Sequence, residues 1–295
     1  MADLVLPSRA VSAIGRNQVV GSLAVTGAAV LWGLWPVWVR HAGNGPQAAT
    51  MALLLAGALG LPYVLYHFRR RPARAWLVLG ALAVSNATNS WFYARGLDDG
   101  SVAAAALSHY LAPVLVALVA PRILGEPRHP HTPWALGLAL VGTAILVGAG
   151  GLGDATAVRT GAIYGGASAL FYATSVILAK RLGPSFTDVE MIVYTALVGG
   201  LLLLPVTGVG PPWWPAVTAG LFSTLAAGAL YYLGLRRLPA ERAGVLTYLE
   251  PLVAVLVGWL VLAEQPSPLA ALGGALVLAG GVLVVRAPGI SMETR

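Results

Sequence analysis

Four polar side chains recur at helical spacing within an apolar part of the chain: Asn86, Asn89, Ser90 and Tyr93. The intervals i, i+3, i+4 and i+7 place all four on one face of a helix. Amide and hydroxyl groups donate and accept hydrogen bonds, so such a face can hold a polar solute. The alternative is hydrogen bonding between neighbouring helices, which contributes under about 2 kcal/mol per contact. We favour the first interpretation and predict that these residues line a cavity.

Two titratable residues also lie inside apolar segments, and each has a functional and a structural interpretation. Ser108, His109 and Tyr110 are predicted to line the cavity as well. His109 can bind a substrate carboxylate or a proton, or pack against a backbone carbonyl. Glu250 is the single acidic residue among eleven that falls deep within an apolar segment. It is therefore suited to proton coupling or to pairing with an amino group. Because Pro251 follows it, Glu250 is equally suited to bonding backbone groups that a helix kink leaves free.

Aromatic residues and nearby hydroxyls form a third group of cavity residues. They are Trp32, Trp35, Tyr164, Ser168, Phe171, Tyr172, Tyr231 and Tyr248. Ring faces suit apolar or aromatic solutes and also a cationic amine. Tryptophan and tyrosine near the ends of membrane spans more often anchor the protein at the interface. No metal site is predicted, since the chain contains no cysteine and no metal-binding motif.

The segments that carry these residues are too apolar for a soluble domain. Of the 295 residues, 58% are hydrophobic and 10% are charged, whereas a soluble domain has about 25% charged residues. Crossing a hydrocarbon layer of about 30 Å takes about 20 apolar residues in a helix. Because backbone groups must be paired inside the layer, we expect an all-α integral membrane protein. The net charge of +7 does not indicate a nucleic-acid partner, because the arginines lie between the apolar runs.

Ten apolar segments of the required length follow one another along the chain. They cover residues 19–39, 47–67, 74–95, 101–120, 132–149, 160–180, 188–207, 214–235, 241–262 and 267–286. If the connections alternate sides, one side holds fifteen Lys and Arg residues and the other holds only Arg40, Arg95 and Arg159. This asymmetry predicts that both termini are cytoplasmic.

The sequence also repeats itself. The run from Tyr248 to Pro266, YLEPLVAVLVGWLVLAEQP, matches YLAPVLVALVAPRILGEPR, which begins 138 residues earlier at Tyr110. Each copy then holds five spans, in residues 19–149 and 160–286, with a connection at 150–159 and tails at 1–18 and 287–295. An odd number of spans per copy inverts the second copy in the membrane. Inverted repeats are typical of carriers that work by alternating access.

These residues resemble the EamA family of the drug/metabolite transporter superfamily. The resemblance lies in the ten spans, in the Leu31-Trp32-Gly33 opening and above all in the YLEPLVAVLVGWLVLAEQ run. It implies a multi-pass protein of the bacterial inner membrane that exports amino acids or other small metabolites, with most similarity to the aromatic amino acid exporter branch. One departure is that the first copy has Ala112 where the second has Glu250.

We therefore predict a secondary carrier for a small amphiphilic metabolite, with an aromatic or neutral amino acid as the leading substrate. The proton is the expected coupling ion, through Glu250 or His109, and we expect a monomer without a cofactor. One alternative is an exporter of drugs or cationic compounds. A membrane-embedded enzyme is the alternative from a different class, but the chain lacks an HExxH motif and a cysteine nucleophile.

Overall fold

A computed structural model describes residues 8–35, 38, 44–148, 151, 153–210, 213–262, 265 and 267–286. Regular structure in these ranges is helical throughout, without strands. The helices are α1 Ser8–Gly33, α2 Gly45–Tyr66, α3 Ala73–Asp99, α4 Val102–His109, α5 Ala112–Leu124, α6 Thr132–Gly148, α7 Ala155–Leu182, α8 Asp188–Thr207, α9 Trp213–Thr218, α10 Ala227–Leu235, α11 Ala240–Thr247, α12 Leu249–Leu262 and α13 Pro268–Arg286. A π-helical segment, Ala219–Ala226, joins α9 to α10.

Seven helical stretches in the described part of the chain are long and apolar enough to cross a membrane. They are Gly45–Tyr66, Val102–Leu124, Ala155–Leu182, Asp188–Thr207, Trp214–Leu235, Ala240–Val261 and Pro268–Val285. Helix α6 is apolar but shorter, and α1 and α3 are longer but more polar. The chain is thus a multi-pass α-helical membrane protein, as predicted. The count of ten spans and their inverted arrangement stay predictions.

Two of the spans are interrupted at equivalent points. Val102–Leu124 breaks at Tyr110, between α4 and α5, and Ala240–Val261 breaks at Tyr248, between α11 and α12. At each break one backbone hydrogen bond spans three residues instead of the four of an α-helix. Leu111 N–H donates to the Ser108 carbonyl, and Tyr248 N–H donates to the Val245 carbonyl. The breaks place Tyr110 and Tyr248 at mid-span.

The helix limits follow local capping signals. Helix α8 covers the predicted segment because Thr187 and Glu190 form a capping box, each side chain bonding the other's backbone N–H. Helix α7 starts five residues before the predicted position 160, since the Asp154 side chain accepts from the N–H groups of Thr156 and Ala157. Helix α1 begins within the predicted tail, and residues 287–295 lie outside the described ranges.

Close helix crossings hold the bundle together. Helix α6 packs on α13, α2 on α8, α3 on α7, and α1 on α10. Gly161 and Gly165 of α7 allow close packing against α4. A Cβ atom at Gly161 would lie 2.6 Å from the Ser101 carbonyl oxygen. The core at the centre of the bundle includes Val25, Leu82 and Tyr231.

Candidate functional site

A cavity lies inside the helical bundle. Its volume of about 210 Å³ is far more than one water molecule requires. Its wall draws on α1, α2, α3, α4, α7, α8, α10, α12 and the π-helical segment. The lining residues are Trp32, Trp35, Ala49, Ala52, Leu53, Asn86, Asn89, Ser90, Tyr93, Ala94, His109, Tyr172, Ser175, Val176, Ile192, Thr195, Ser223, Thr224, Gly228, Tyr231, Tyr232 and Glu250. The wall thus combines aromatic rings and small apolar residues with polar side chains of Asn, Ser, Thr, His and Glu, so it can contact both the apolar and the polar parts of a small molecule.

The predicted polar stripe of α3 lies on this wall with all four of its residues. Asn86 and Asn89 make hydrogen bonds to other helices. The Asn86 amide donates to the Tyr232 hydroxyl at 3.0 Å, and the Asn89 amide oxygen accepts from Ser168 at 2.7 Å. The stripe therefore combines the two roles that the sequence left open, cavity lining and bonding between helices.

His109 belongs to a short hydrogen-bond chain. Its Nδ1 lies 2.8 Å from the Ser168 hydroxyl, which in turn donates to Asn89. Because the single hydroxyl proton is committed to the amide oxygen, Ser168 accepts from the imidazole and Nδ1 carries the proton. Neutral His109 therefore has Nε2 as a free acceptor.

Glu250 is the one charged residue among the described residues of the wall. Its carboxylate accepts a hydrogen bond from the Tyr110 hydroxyl, and Tyr93 and Tyr172 line the same wall. A charge within a membrane-spanning bundle is costly unless neighbouring groups compensate it. The Tyr110 hydroxyl provides part of that compensation, and Glu250 makes its part of the wall acidic.

A continuous series of aromatic rings runs along the wall. Trp32 lies 5.1 Å from Tyr231, which lies 6.2 Å from Tyr172. Tyr172 continues to His109 at 5.6 Å, and His109 stacks on Tyr93 at 4.3 Å. We call these five residues the aromatic arc. It connects α1 and α10 to α7, α4 and α3, and offers several ring faces to a bound solute.

Three hydroxyl groups on the wall make no hydrogen bond of normal geometry within the described chain: that of Ser175, and those of Tyr172 and Tyr231, which lie near each other. Buried hydroxyls are normally paired, because an unpaired one costs about 1–3 kcal/mol. The three hydroxyls therefore have unused hydrogen-bonding capacity beside the cavity.

Three ion pairs form a layer near the ends of the helices that carry the cavity. Arg71 binds both carboxylate oxygens of Glu190, at 2.7 and 2.8 Å. Lys180 pairs with Glu126 at 2.5 Å, and Arg236 pairs with Asp188. The layer lies close below the cavity floor, since Ile192 is two residues from Glu190 and Tyr232 is one turn from Arg236.

Tyr232 separates the cavity from a second pocket on the side of this ion-pair layer. The second pocket is lined by Ala179, Lys180, Gly183, Pro184, Met191, Tyr232, Leu235 and Arg236. Because Tyr232 lines both spaces, its ring and its hydrogen bond to Asn86 form the partition between them.

Comparison with known proteins decides the class of this site. The sequence model of the EamA-like transporter family matches residues 19–148 and, a second time, residues 159–286. The chain belongs to the EamA-like transporter family. This membership confirms the resemblance seen in the sequence and makes the protein a membrane transporter rather than an enzyme.

Individual relatives of this EamA-like transporter carry transporter names. An uncharacterized transporter from Archaeoglobus fulgidus is 31% identical over 90% of this chain and 96% of its own length. A probable terminal-alkyne amino-acid exporter from Streptantibioticus cattleyicolor is 31% identical, over 81% and 80%. The aromatic amino acid exporter YddG from Ancylobacter novellus is 28% identical, over 88% and 76%. A solved crystal structure with a TM-score of 0.79 and 23% identity, covering 89% of this chain and 95% of that one, has the same fold.

The Leu-Trp-Gly motif of this EamA-like transporter has a structural explanation. A Cβ atom on Gly33 would lie 2.6 Å from Cβ of Val253 and 2.9 Å from the Glu250 carbonyl oxygen. Only a glycine lets α1 cross α12 this closely. The Trp32 indole donates to the Ser223 carbonyl at 2.9 Å and thereby joins α1 to the π-helical segment.

Six residues that the sequence assigned to the cavity lie away from its wall: Ser108, Tyr110, Tyr164, Ser168, Phe171 and Tyr248. Ser168, Tyr110 and Tyr248 are buried behind it. Tyr164 and Phe171 pack on Phe92, with both pairs of ring centroids 5.9 Å apart. These aromatic residues join α7 to α3 instead of facing the cavity.

Other wall residues gave no signal in the sequence. Ala49, Ala52 and Leu53 of α2 and Ile192 of α8 are apolar residues in apolar helices, so no periodic pattern sets them apart. Tyr232 follows Tyr231, and adjacent residues on a helix point about 100° apart. A polar-stripe argument selects only one of two such neighbours. The partition residue could therefore be found only from the packing.

Proposed function

We propose that this EamA-like transporter is a secondary-active carrier of the inner membrane that exports amino acids, aromatic or neutral ones first, or similar small amphiphilic metabolites. The observation that carries the proposal is the internal cavity, whose wall combines an aromatic arc, open hydroxyls and one carboxylate. Ring faces bind an apolar side chain, and the polar groups bind an amino-acid-like head. The relatives named as amino acid exporters support the same class of substrate.

We further propose ten spans in two inverted five-helix repeats, residues 19–149 and 160–286, with both termini in the cytoplasm. The packing supports this arrangement. When each helix is replaced by its counterpart in the other copy, the α3–α7 crossing becomes the α10–α1 crossing. The α6–α13 and α2–α8 crossings each join a helix to its own counterpart, so they are unchanged. Rocking of one repeat against the other would expose the cavity alternately to each side. The ion-pair layer and Tyr232 would then close the side on which they lie.

For the coupling ion we propose the proton, with Glu250 and His109 as the groups that bind it. Both are on the cavity wall, so a bound solute can contact both side chains. The hydrogen-bond chain from His109 through Ser168 to Asn89 gives the imidazole a fixed orientation, which proton exchange at Nε2 requires.

The test is transport by the purified full chain in proteoliposomes. Vesicles loaded with radiolabelled phenylalanine, tryptophan or leucine should release them faster than protein-free vesicles, and an imposed pH gradient should change the rate. Ser90→Trp fills the cavity and should reduce release by about tenfold or more, which corresponds to about 1.4 kcal/mol of the barrier.

Val84→Trp is the matched control, because Val84 lies on the same helix but is 49% exposed on its outer surface. It should leave release within about twofold of the unmodified chain. If correctly folded protein releases none of the amino acids, this substrate class is excluded. If both tryptophan variants transport normally, the cavity is not the pathway.

A further inference from the structure

The cavity has an unbalanced charge. Glu250 is its one charged side chain in the described ranges, and no described lysine or arginine lies on its wall. The nearby cations, Lys180 and Arg236, lie beyond Tyr232 and pair with Glu126 and Asp188. A solute that enters the cavity therefore meets one negatively charged group, the Glu250 carboxylate.

The surroundings of Glu250 suit an ammonium group. Tyr93 and Tyr172, which line the same wall as Glu250, are members of the aromatic arc. A cation held there would gain both an ion pair and contacts with ring faces. The ligand would supply the countercharge that the wall itself lacks.

The same wall offers little to a carboxylate. Two of its N–H donors are already used, since the Trp32 indole donates to Ser223 and the Asn86 amide donates to Tyr232. Trp35 and Asn89 carry further N–H donors on the wall, and these are neutral. The hydroxyls that remain open belong to Tyr172, Ser175 and Tyr231, and they are neutral. Neutral donors suit a carbonyl, amide or hydroxyl, whereas a free carboxylate would be repelled by Glu250 without a cation to offset the repulsion.

His109 is the one wall residue that could oppose this reasoning. A protonated imidazole would attract a carboxylate, but its Nδ1 is committed to Ser168, so only Nε2 can reach a solute. A site built on His109 would prefer acids to their amides, which is the opposite ranking and is directly measurable.

We propose that the cavity selects its ligand by a protonated amine at Glu250 and does not require a carboxylate. The preferred ligand class is thus an aromatic amine, or an amino-acid amide or ester, rather than the zwitterionic amino acid. This inference rests on the proposed function and narrows it from amphiphilic metabolites in general to amphiphilic cations.

Four compounds that share an indole ring test the proposal. Tryptamine and tryptophan amide keep the amine and lack the carboxylate, tryptophan has both groups, and N-acetyltryptophan has only the carboxylate. Binding is measured as thermal stabilisation of the purified full chain, and transport is measured separately in proteoliposomes. Tryptamine and tryptophan amide should bind about tenfold more tightly than tryptophan, and N-acetyltryptophan should not bind detectably.

Glu250→Gln should remove the preference for tryptamine, whereas Glu250→Asp should keep most of it because the charge remains. Unliganded melting of both variants verifies their folding. The proposal is overturned if tryptophan or N-acetyltryptophan binds as well as tryptamine, if none of the four binds, or if folded Glu250→Gln keeps the ranking.

Failure of the proposed function gives a different result. If tryptamine binds in the expected order but no compound crosses the membrane, amine recognition stands and the carrier proposal fails. If leucine is transported but none of the four indole compounds binds, the carrier proposal is supported and the proposal of amine recognition is refuted.

Discussion

The Tyr248 hydroxyl donates a hydrogen bond of 2.6 Å to the backbone carbonyl of Tyr110. These residues are 138 positions apart, occupy the same place in the two copies of the repeated sequence, and lie at the two mid-span breaks. Their rings are 6.0 Å apart and both are buried. The two broken spans are thus joined to each other at their points of interruption.

Tyr248→Phe should lower the stability of the protein by about 1–3 kcal/mol, because it leaves the buried Tyr110 carbonyl without this donor. The measurement is the thermal unfolding midpoint of the detergent-solubilised chain. Tyr66→Phe is the control, since Tyr66 is 86% exposed and should tolerate loss of its hydroxyl. Equal midpoints for the two variants would show that this hydrogen bond contributes nothing.

The Arg71–Glu190 pair should be the strongest member of the ion-pair layer. Glu190 is 1% exposed, Arg71 is 9% exposed, and the guanidinium also lies 4.3 Å above the ring of Phe186. Glu190→Gln should cost about 3–5 kcal/mol because it leaves the Arg71 charge uncompensated. Glu190→Ala should cost about 1 kcal/mol more, since alanine also removes the cap that bonds Thr187 N–H.

The control for this pair is Arg95→Ala. Arg95 pairs with Asp99 on the surface of α3, and the two side chains are 40% and 33% exposed. Solvent screens such a pair, so its loss should cost under about 1 kcal/mol. Unfolding midpoints that fall equally for Arg95→Ala and Glu190→Gln would contradict the assigned role of the buried pair.

Tyr232→Ala should open a connection between the cavity and the second pocket, because Tyr232 lines both. The chain has no cysteine, so one reporter thiol can be introduced without a background. Ser175→Cys places it on the cavity wall. A membrane-impermeant maleimide should label this thiol mainly from one side of the membrane, and from both sides once Tyr232 is alanine.

Tyr232→Phe is the informative control for this partition. It keeps the ring and loses the hydroxyl that bonds Asn86, so labelling should stay closer to the one-sided pattern. Two-sided labelling with Tyr232 intact would mean that the ring does not divide the spaces in the membrane.

Gly33→Ala should destabilise the protein by about 1–3 kcal/mol, because the added methyl group overlaps Val253 and the Glu250 backbone. Gly80→Ala should instead leave stability unchanged or raise it by up to about 1 kcal/mol. Gly80 lies within α3 and has no atom within 4 Å of its potential Cβ. The measurement is again thermal unfolding, and a normal midpoint for Gly33→Ala would refute the close crossing of α1 and α12.

The sequence predicted best those features that depend on neighbouring residues along the chain. The limits of α8 follow from the Thr187–Glu190 capping box, and the positions of Asn86 and Tyr93 follow from helical periodicity. The start of α7 was missed because the capping signal of Asp154 lies in a polar stretch that resembles a connection.

Features that depend on packing between distant segments could not be read in this way. Phe171 has the spacing of a wall residue, yet Phe92 occupies the space beside it. Ser168 is fully buried between His109 and Asn89, where it orients a wall residue without facing the cavity. Hydrophobic periodicity identifies the buried face of a helix, but it does not distinguish a buried face that contacts a neighbour from one that borders an empty space.

Ala112 and Glu250 follow equivalent tyrosines by two residues, yet Ala112 is buried at 1% exposure and Glu250 faces the cavity. A site between two identical repeats would bind an elongated ligand in either of two opposite orientations with equal free energy. A carboxylate in one copy alone removes that equivalence. Under the proposed symmetry, the difference between Ala112 and Glu250 thus distinguishes the two orientations and gives the cavity a direction.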